Sequence, residues 1–356
     1  MSPIGKEQMK KLLGKFRKQS EVQPSARITS ETVAQHRELI LAGGRRFKYP
    51  IQYARHKLVI NAIIISVVAL VLVVIVGWWQ LYPAQNTSEF MYRITKVLPL
   101  PVASIDGQPV LYSDYLMKYI SSVNYLQQKE QLNLKTDDGK RQIEYIKQQS
   151  MQDSLTDAYA IKLAKGLNIS VSDSEVEASL ISQRQLVSIE MSEQAYKSVV
   201  VDYYGWSSSE YSHITATKLL RQKVAYAVDK DALKISDNIS SMLKNDPTLD
   251  FAQLATTIAT QTGAKVTHSV SGLVPKSNKD GGLAAEAVKL QTGQISLAFK
   301  STLADGYYFI KQVAVNDKQV NYEYIKVPLT TFMTELGNAI SSGKVTKYIS
   351  VADLNS

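Results

Sequence analysis

The sequence predicts a membrane-anchored chain. A single transmembrane helix is followed by a mostly helical domain and then by an α+β domain built on a largely antiparallel sheet. Three observations predict this. An uncharged apolar run lies near the N-terminus, helical periodicity and helix caps fill residues 113–228, and strand-like runs with tight turns crowd the C-terminal third. The boundaries expected are a basic tail (1–57), the transmembrane helix (58–81), a linker (82–101), the helical domain (102–229) and the α+β domain (230–356).

The apolar run, Leu58 to Leu81, reads LVINAIIISVVALVLVVIVGWWQL; sixteen of its 24 residues are Leu, Ile or Val and none is charged. A helix of this length spans ~36 Å, enough for a hydrocarbon core with some tilt. Each Leu, Ile or Val contributes roughly −0.3 to −0.6 kcal/mol to insertion, which outweighs the lone Asn61. Trp78, Trp79 and Tyr82 form an aromatic belt at one end, and Arg45, Arg46, Lys48, Arg55 and Lys57 crowd the other. The tail carries 13 Lys/Arg against 4 Asp/Glu, an excess equal to the whole net charge of +9; the rest of the chain holds 28 of each. The positive-inside rule then places the N-terminus in the cytoplasm and residues 82–356 outside. The run is too long, and too far from the N-terminus, for a cleaved signal peptide, so an uncleaved anchor is expected.

In the tail, Lys6 to Lys18 is basic and partly amphipathic, and Glu31 to Ala42 follows Ser30 and stops at Gly43-Gly44. The tail either binds anionic lipid or nucleic acid or is a solvated segment that sets topology. The second reading needs nothing beyond the adjacent helix, so no nucleic-acid partner is expected. Residues 82–101 end in LPLP and suit an extended spacer.

The segment VASIDGQPVLYSDYLMKYI holds a strand, an Asp106-Gly107 turn, a second strand and Ser113 as cap of a helix running from Asp114 to about Gln131. After a polar break at Thr136–Gly139, Ile143, Ile146, Met151, Leu155, Ala158 and Ile161 recur at a mean spacing of 3.6 residues, one helix face, until Gly166. Ser172 with Glu175, and Ser207 with Glu210, are capping boxes; Trp206 and Tyr211 stand at hydrophobic-staple positions around the second. Further on, 233–244 and LDFAQLATTIATQTG read as helices, with Asp250 as a cap and Gly263 as a stop. AKVTHSVSGLV alternates as a strand, and 281–290 is a short helix. SLAFKS, GYYFIKQVAV and QVNYEYIKV are strands with turns at 304–306 and 316–318, and a last helix covers Thr330–Ser341.

Three of these stretches, VASIDGQPVLYSDY, DAYAIKLAKGLNISVSDSEVEASL and DYYGWSSSEYSHITATKLLRQKV, resemble in order and spacing the N-terminal chaperone domain of SurA- and PrsA-type extracytoplasmic folding factors. Residues 248–315 resemble a parvulin-type prolyl isomerase domain through LDFAQLATTIA, LQTGQIS and DGYYFIKQV. Three departures stand out. The histidine of the family's closing strand falls on Tyr308, its usual phenylalanine before the Leu-x-x-Gly turn falls on Val288, and its first, His-bearing strand is missing. YEYIKV at 322–327 reads like that strand displaced to the C-terminal side. It would pair with 307–315 as a hairpin in a circularly permuted parvulin-like sheet, with Tyr324 in the first histidine's place. The alternative is a C-terminal extension that pairs elsewhere.

The resemblance implies a membrane-tethered extracytoplasmic chaperone or foldase. Its partners would be unfolded or proline-containing exported polypeptides and membrane lipid, and it would use no cofactor. Isomerase activity would be weak or lost, since Tyr308 and Tyr324 could donate hydrogen bonds but a tyrosine titrating near ~10 is no base at neutral pH. Their other reading is an aromatic pair that steadies the sheet. Leu283, Val288 and His268 are the expected lining of a proline site; Tyr115 and Tyr119 are expected client contacts or core. The four histidines, His36, His56, His213 and His268, are scattered without ligand spacing, and the chain has no cysteine. An active isomerase and a non-catalytic envelope scaffold are the alternatives.

Overall fold

The computed structural model of the chain describes residues 29–48, 50–185 and 192–352. The Lys6–Lys18 stretch lies outside them. Two compact units emerge, Met1–Gly77 and Trp78–Ser356.

In the first unit, helix α1 (Ser30–Lys48) runs straight through Gly43-Gly44, where a stop was expected. Neither glycine takes a positive φ, so neither forms the left-handed cap that would end the helix. Helix α2 (Pro50–Leu81) includes His56–Leu81, which is long and apolar enough to cross a membrane, with a mean hydropathy of 3.3 over an 18-residue window. Residues 56–76 are all exposed.

The second unit begins with the last turn of α2. The extended spacer expected over 82–101 is replaced by helix α3 (Glu89–Val97). Ser88 caps it by accepting from Met91 N, and Met91 and Thr95, one turn apart, are buried. The Leu98–Pro101 run ends this helix and does not govern the residues before it.

Strands β1 (Pro101–Ile105) and β2 (Gln108–Leu111) form the expected hairpin. Asp106 (φ 47°) and Gly107 (φ 82°) are both left-handed, as a two-residue type I′ turn requires. Helix α4 (Tyr112–Gln128) starts directly from the strand. Leu111 therefore sits at the cap, and Ser113 is already helical. Helix α5 (Asp137–Leu167) is capped by Thr136 and ends at Asn168 (φ 53°), one turn-end later than the expected Gly166. Ile146, Met151, Leu155 and Ala158 of the anticipated face are buried; Ile143 and Ile161 sit at its margins.

Helices α6 (Asp173–Gln185), α7 (Glu193–Tyr204) and α8 (Ser208–Val228) follow. Both capping boxes form. Ser172 N–H donates to Glu175 Oε2 (2.9 Å) and Ser207 N–H to Glu210 Oε2 (2.8 Å), and the return bonds are also present. The staple rings of Trp206 and Tyr211 stack at 5.9 Å.

Helices α9 (Lys230–Asn245) and α10 (Phe251–Thr262) lead to strands β3 (Thr267–Val270) and β4 (Val274–Pro275), the short helix α11 (Leu283–Ala287) and strands β5 (Phe299–Lys300), β6 (Gly306–Val315) and β7 (Gln319–Pro328). The sheet order is β3-β7-β6-β5, with β4 also on β7, and all pairs are antiparallel. The expected β6–β7 hairpin forms, pairing Tyr308 with Lys326 and Ile310 with Tyr324. Gly306 opens β6 because a Cβ there would lie 2.5 Å from Val327 O. One sheet face, with Tyr307, Phe309, Ile325 and Val327, packs on Ile239, Phe251, Leu254 and Ile258 of α9 and α10. The other face, with Tyr308, Ile310 and Tyr322, packs on Leu283, Ala284 and Ala287.

The chain then returns. Helix α12 (Thr331–Ser341) buries Phe332, Leu336 and Ala339 in the first core, beside Val102, Ile105, Tyr112, Leu155 and Val224. Strand β8 (Val345–Lys347) pairs with β1. Residues 330–352, assigned to the α+β domain from sequence, therefore pack into the helical lobe. The α+β lobe is an insertion between α8 and α12.

Both crossings of that insertion meet at Asp229. Its carboxylate, 2% exposed, accepts from Ala232 N (3.0 Å), Thr330 N (2.7 Å) and Thr331 N (3.0 Å). Burial pushes its pKa up, but these backbone donors win and hold it below the ordinary carboxylate value. Tyr226 adds a second tie, donating to Gly306 O (2.7 Å) and Ser301 O (3.0 Å).

Replacing Asp229 by Ala leaves buried N–H groups unpaired and is expected to cost at least about 3 kcal/mol. Chemical unfolding of the full chain measures this. A carboxylate with a depressed folded pKa stabilises above its unfolded value of ~3.9 and loses that contribution as pH falls through the lower folded value. Stability should therefore fall steeply below about pH 4, and less steeply in Asp229→Asn.

Candidate functional site

The short helices α6 and α7 and the start of α8 enclose a groove of about 390 Å³, with Val176 and Leu180, Tyr196 and Val200, and Trp206 and Tyr211 as its apolar lining. Asp173, Glu177, Glu193 and Lys197 stand among the polar lining. The capping box of α8 sets the geometry. Ser207 and Glu210 fix the first turn, and the staple then holds Trp206 against Tyr211.

From this staple an aromatic ladder extends in both directions. Tyr204 stacks on Trp206 at 4.5 Å and on Tyr125 at 6.4 Å. Tyr196 meets Tyr211 with hydroxyls 2.6 Å apart, and Tyr211 Oη donates to Gln183 Oε1 (2.6 Å). Burial, then the Tyr196 bond, raises the Tyr211 pKa, so the Tyr211 phenol stays neutral. Among the described residues, Trp206 Nε1 is buried without a hydrogen-bond partner. Glu210 is anchored from a different element: Tyr92 Oη donates to it (2.5 Å) and Lys96 Nζ lies 3.1 Å away. Burial opposes ionisation, but the Tyr92, Ser207 and Lys96 bonds bring its pKa down to about 2. Tyr203 and Tyr204 keep 40% and 39% of their surface exposed, so the ladder ends in open, adaptable contact area. Such a surface binds apolar and aromatic side chains with little demand on their order.

The expected site residues are dispersed. Tyr308 and Tyr324 do come together, with ring centroids 5.6 Å apart, and Leu283 joins Tyr308 in one cluster. Tyr308 is 5% exposed, and its hydroxyl donates to Asp305 Oδ2 (2.7 Å), which also takes Lys326 Nζ (2.6 Å). Burial and then Asp305 raise the Tyr308 pKa. Val288 is 37% exposed at the end of α11, outside that cluster. His268 pairs in register with Ile325, which puts it on the opposite sheet face from the tyrosines. There its Nε2 lies 3.0 Å from Glu323 Oε2, and Lys311 Nζ lies 3.1 Å from Glu323 Oε1. Tyr115 and Tyr119 are 1% and 8% exposed and stack on one another at 6.3 Å, so they are core. The groove residues Leu180, Tyr196 and Val200 went unread in the sequence. Their signal was the aromatic density of YYGW at 203–206 beside the capping box.

Residues 51–225 match the family model of the SurA-like N-terminal domain. The match takes in α2 as well as α3 to α8, so the apolar helix belongs to the matched segment. It also encloses the whole groove. A SurA-like domain marks a chaperone-type protein and implies binding of unfolded polypeptides in general. No family model matches a parvulin-type domain. No curated protein matches the chain.

The Tyr308 hydroxyl has a structural partner, so Tyr308→Phe is expected to destabilise the full chain by about 1–3 kcal/mol, as for a hydrogen bond to a charged group. Thermal unfolding measures it. An unchanged midpoint would show that the phenol contributes nothing to the sheet.

Proposed function

We propose that this chain is a membrane-tethered chaperone that holds unfolded exported polypeptides outside the cytoplasm. The aromatic groove of α6–α8 carries this reading, since its surface is mostly apolar, Trp206 in its wall stacks on the part-exposed Tyr204, and it lies within the SurA-like segment. The apolar helix 56–81 serves as the anchor. The basic excess on its N-terminal side keeps that end in the cytoplasm and sets both lobes on the far side. Tethering keeps the groove near emerging segments and raises their effective concentration.

On the same reading, the α+β lobe is a circularly permuted parvulin-like sheet. In its support, β7 lies antiparallel to β6, and Tyr324 and Tyr308 face each other where two histidines would stand. Isomerase activity is weak or lost. Twisting a prolyl bond over a barrier of ~18–20 kcal/mol calls for donors free to meet the twisted amide. The Tyr308 hydroxyl is bound to Asp305 and its ring is buried.

The test uses full-length protein in nanodiscs and a chemically unfolded reporter diluted into buffer. Wild type is expected to suppress light scattering. Leu180→Asp puts a carboxylate into the groove near Asp173 and Glu177, and should reduce suppression several-fold without lowering the thermal midpoint. Full suppression by Leu180→Asp would move the binding surface elsewhere, and none by wild type would end the chaperone reading. Cis/trans exchange of a prolyl peptide should run close to its uncatalysed rate; strong acceleration would establish a working isomerase instead.

A further inference from the structure

The junction between the apolar helix and the folded lobe contains no spacer. Leu81 is 2% exposed within the first core, and Tyr112 Oη donates to its carbonyl (2.7 Å). Tyr82 Oη donates to Pro101 O (2.9 Å). The chain then folds back on the helix end: Ala84 N–H donates to Trp79 O (2.9 Å), Asn86 N–H to Gln80 O (2.9 Å) and Asn86 Nδ2 to Gln80 Oε1 (2.9 Å). Helix α3 starts three residues later. Four residues of chain reach at most about 15 Å, so Phe90 stays within that distance of Asn86, which is itself bonded to the helix end.

Helix α3 is two-sided. Met91 and Thr95 face the core, while Phe90, Arg93 and Val97, spaced three and four apart, form the opposite stripe. Phe90 is 66% exposed and Val97 79%, and Leu98 follows at 53%. Trp78 and Trp79, in the last turn of α2, are 58% and 53% exposed. Large apolar side chains exposed this fully on both elements call for a partner surface. Their continuity with an apolar helix ending in two tryptophans identifies it.

We propose that α3 is an interfacial helix: Phe90, Val97 and Leu98 lie in the headgroup layer of the bilayer that α2 crosses, level with Trp78 and Trp79. This rests on the reading of α2 as a membrane span. Tryptophan favours that layer, and an amphipathic helix lying in its plane inserts its apolar stripe there. Arg93 pairs with Glu89 (2.6 Å) and Lys96 with Glu210 (3.1 Å), so the contact is apolar and does not depend on anionic lipid. The helical lobe is thereby seated on the membrane surface.

The chain has no cysteine, so single-cysteine variants of the full protein can be spin-labelled cleanly. Labels at Phe90, Val97, Ile65 and the exposed Tyr145 are compared in phosphatidylcholine vesicles by their relaxation with oxygen and with a water-soluble nickel chelate. Phe90 and Val97 labels are expected to show an oxygen-to-nickel ratio several-fold above that at Tyr145, and below that at Ile65. If Phe90 and Val97 match Tyr145 while Ile65 is shielded from nickel, α2 spans but α3 does not seat, and this inference is overturned. If Ile65 also matches Tyr145, the membrane span itself fails and takes the inference with it.

Discussion

One carboxylate decides whether the two lobes are a single object. An inserted lobe is joined to its host at two chain crossings, and without a clamp each behaves as a hinge. Asp229 closes both, because it ends α8, caps α9 and receives the first amides of the α12 segment. A buried carboxylate is costly unless donors replace its water, and three backbone amides supply that replacement. The same residues that bring the chain back into the first core, Thr330 and Thr331, are the ones it holds. The packing of Phe332 and Leu336 against Leu155 and Tyr159 therefore depends on it.

With the lobes tied, the sparsest packing lies in the elements that carry the groove. Helix α7 buries only Val200 among its residues, whereas α5 buries eleven. Elements with few buried apolar contacts open at low free energy, and binding surfaces that must adapt to many sequences draw on them. The α8 end of the groove is stiffer. Its first turn is held by a capping box, a stacked staple and the Tyr92 and Lys96 bonds to Glu210. A rigid aromatic floor under a loosely packed wall suits segments that differ in shape but share apolar side chains.

Much of this was legible in the residues, and the failures have physical causes. Local signals were read well: Asp106-Gly107 sets its own turn, and the two boxes and the β6–β7 turn act over three or four residues. Signals that needed a partner were not. The stripe of α12 announces a helix, but nothing in Phe332, Leu336 and Ala339 says which core receives it. Prolines 99 and 101 suggested an extended 82–101, yet proline restricts only its neighbours, and Ser88 with Met91 and Thr95 had already specified α3. At the expected catalytic sheet, alternation placed Tyr308 and Tyr324 on one face. The same period of two put His268 on the other, because its register against β7 could not be known beforehand.

The tyrosines bear on what the α+β lobe is for. Tyr308 donates to Asp305, and Tyr322 to Asp280 (2.5 Å). In both cases burial and the adjacent carboxylate raise the phenol's pKa. A side chain whose one proton is committed to a carboxylate, and whose ring is wedged between Phe299 and Tyr324, cannot swing to meet a twisting amide without breaking both. Histidine at these positions would offer two nitrogens and a titration near neutrality; tyrosine offers one donor and a larger apolar ring. Aromatic pairs and hydrogen bonds to Asp305 and Asp280 hold the sheet of the α+β lobe, and Asp229 clamps that lobe to the helical one as a rigid body.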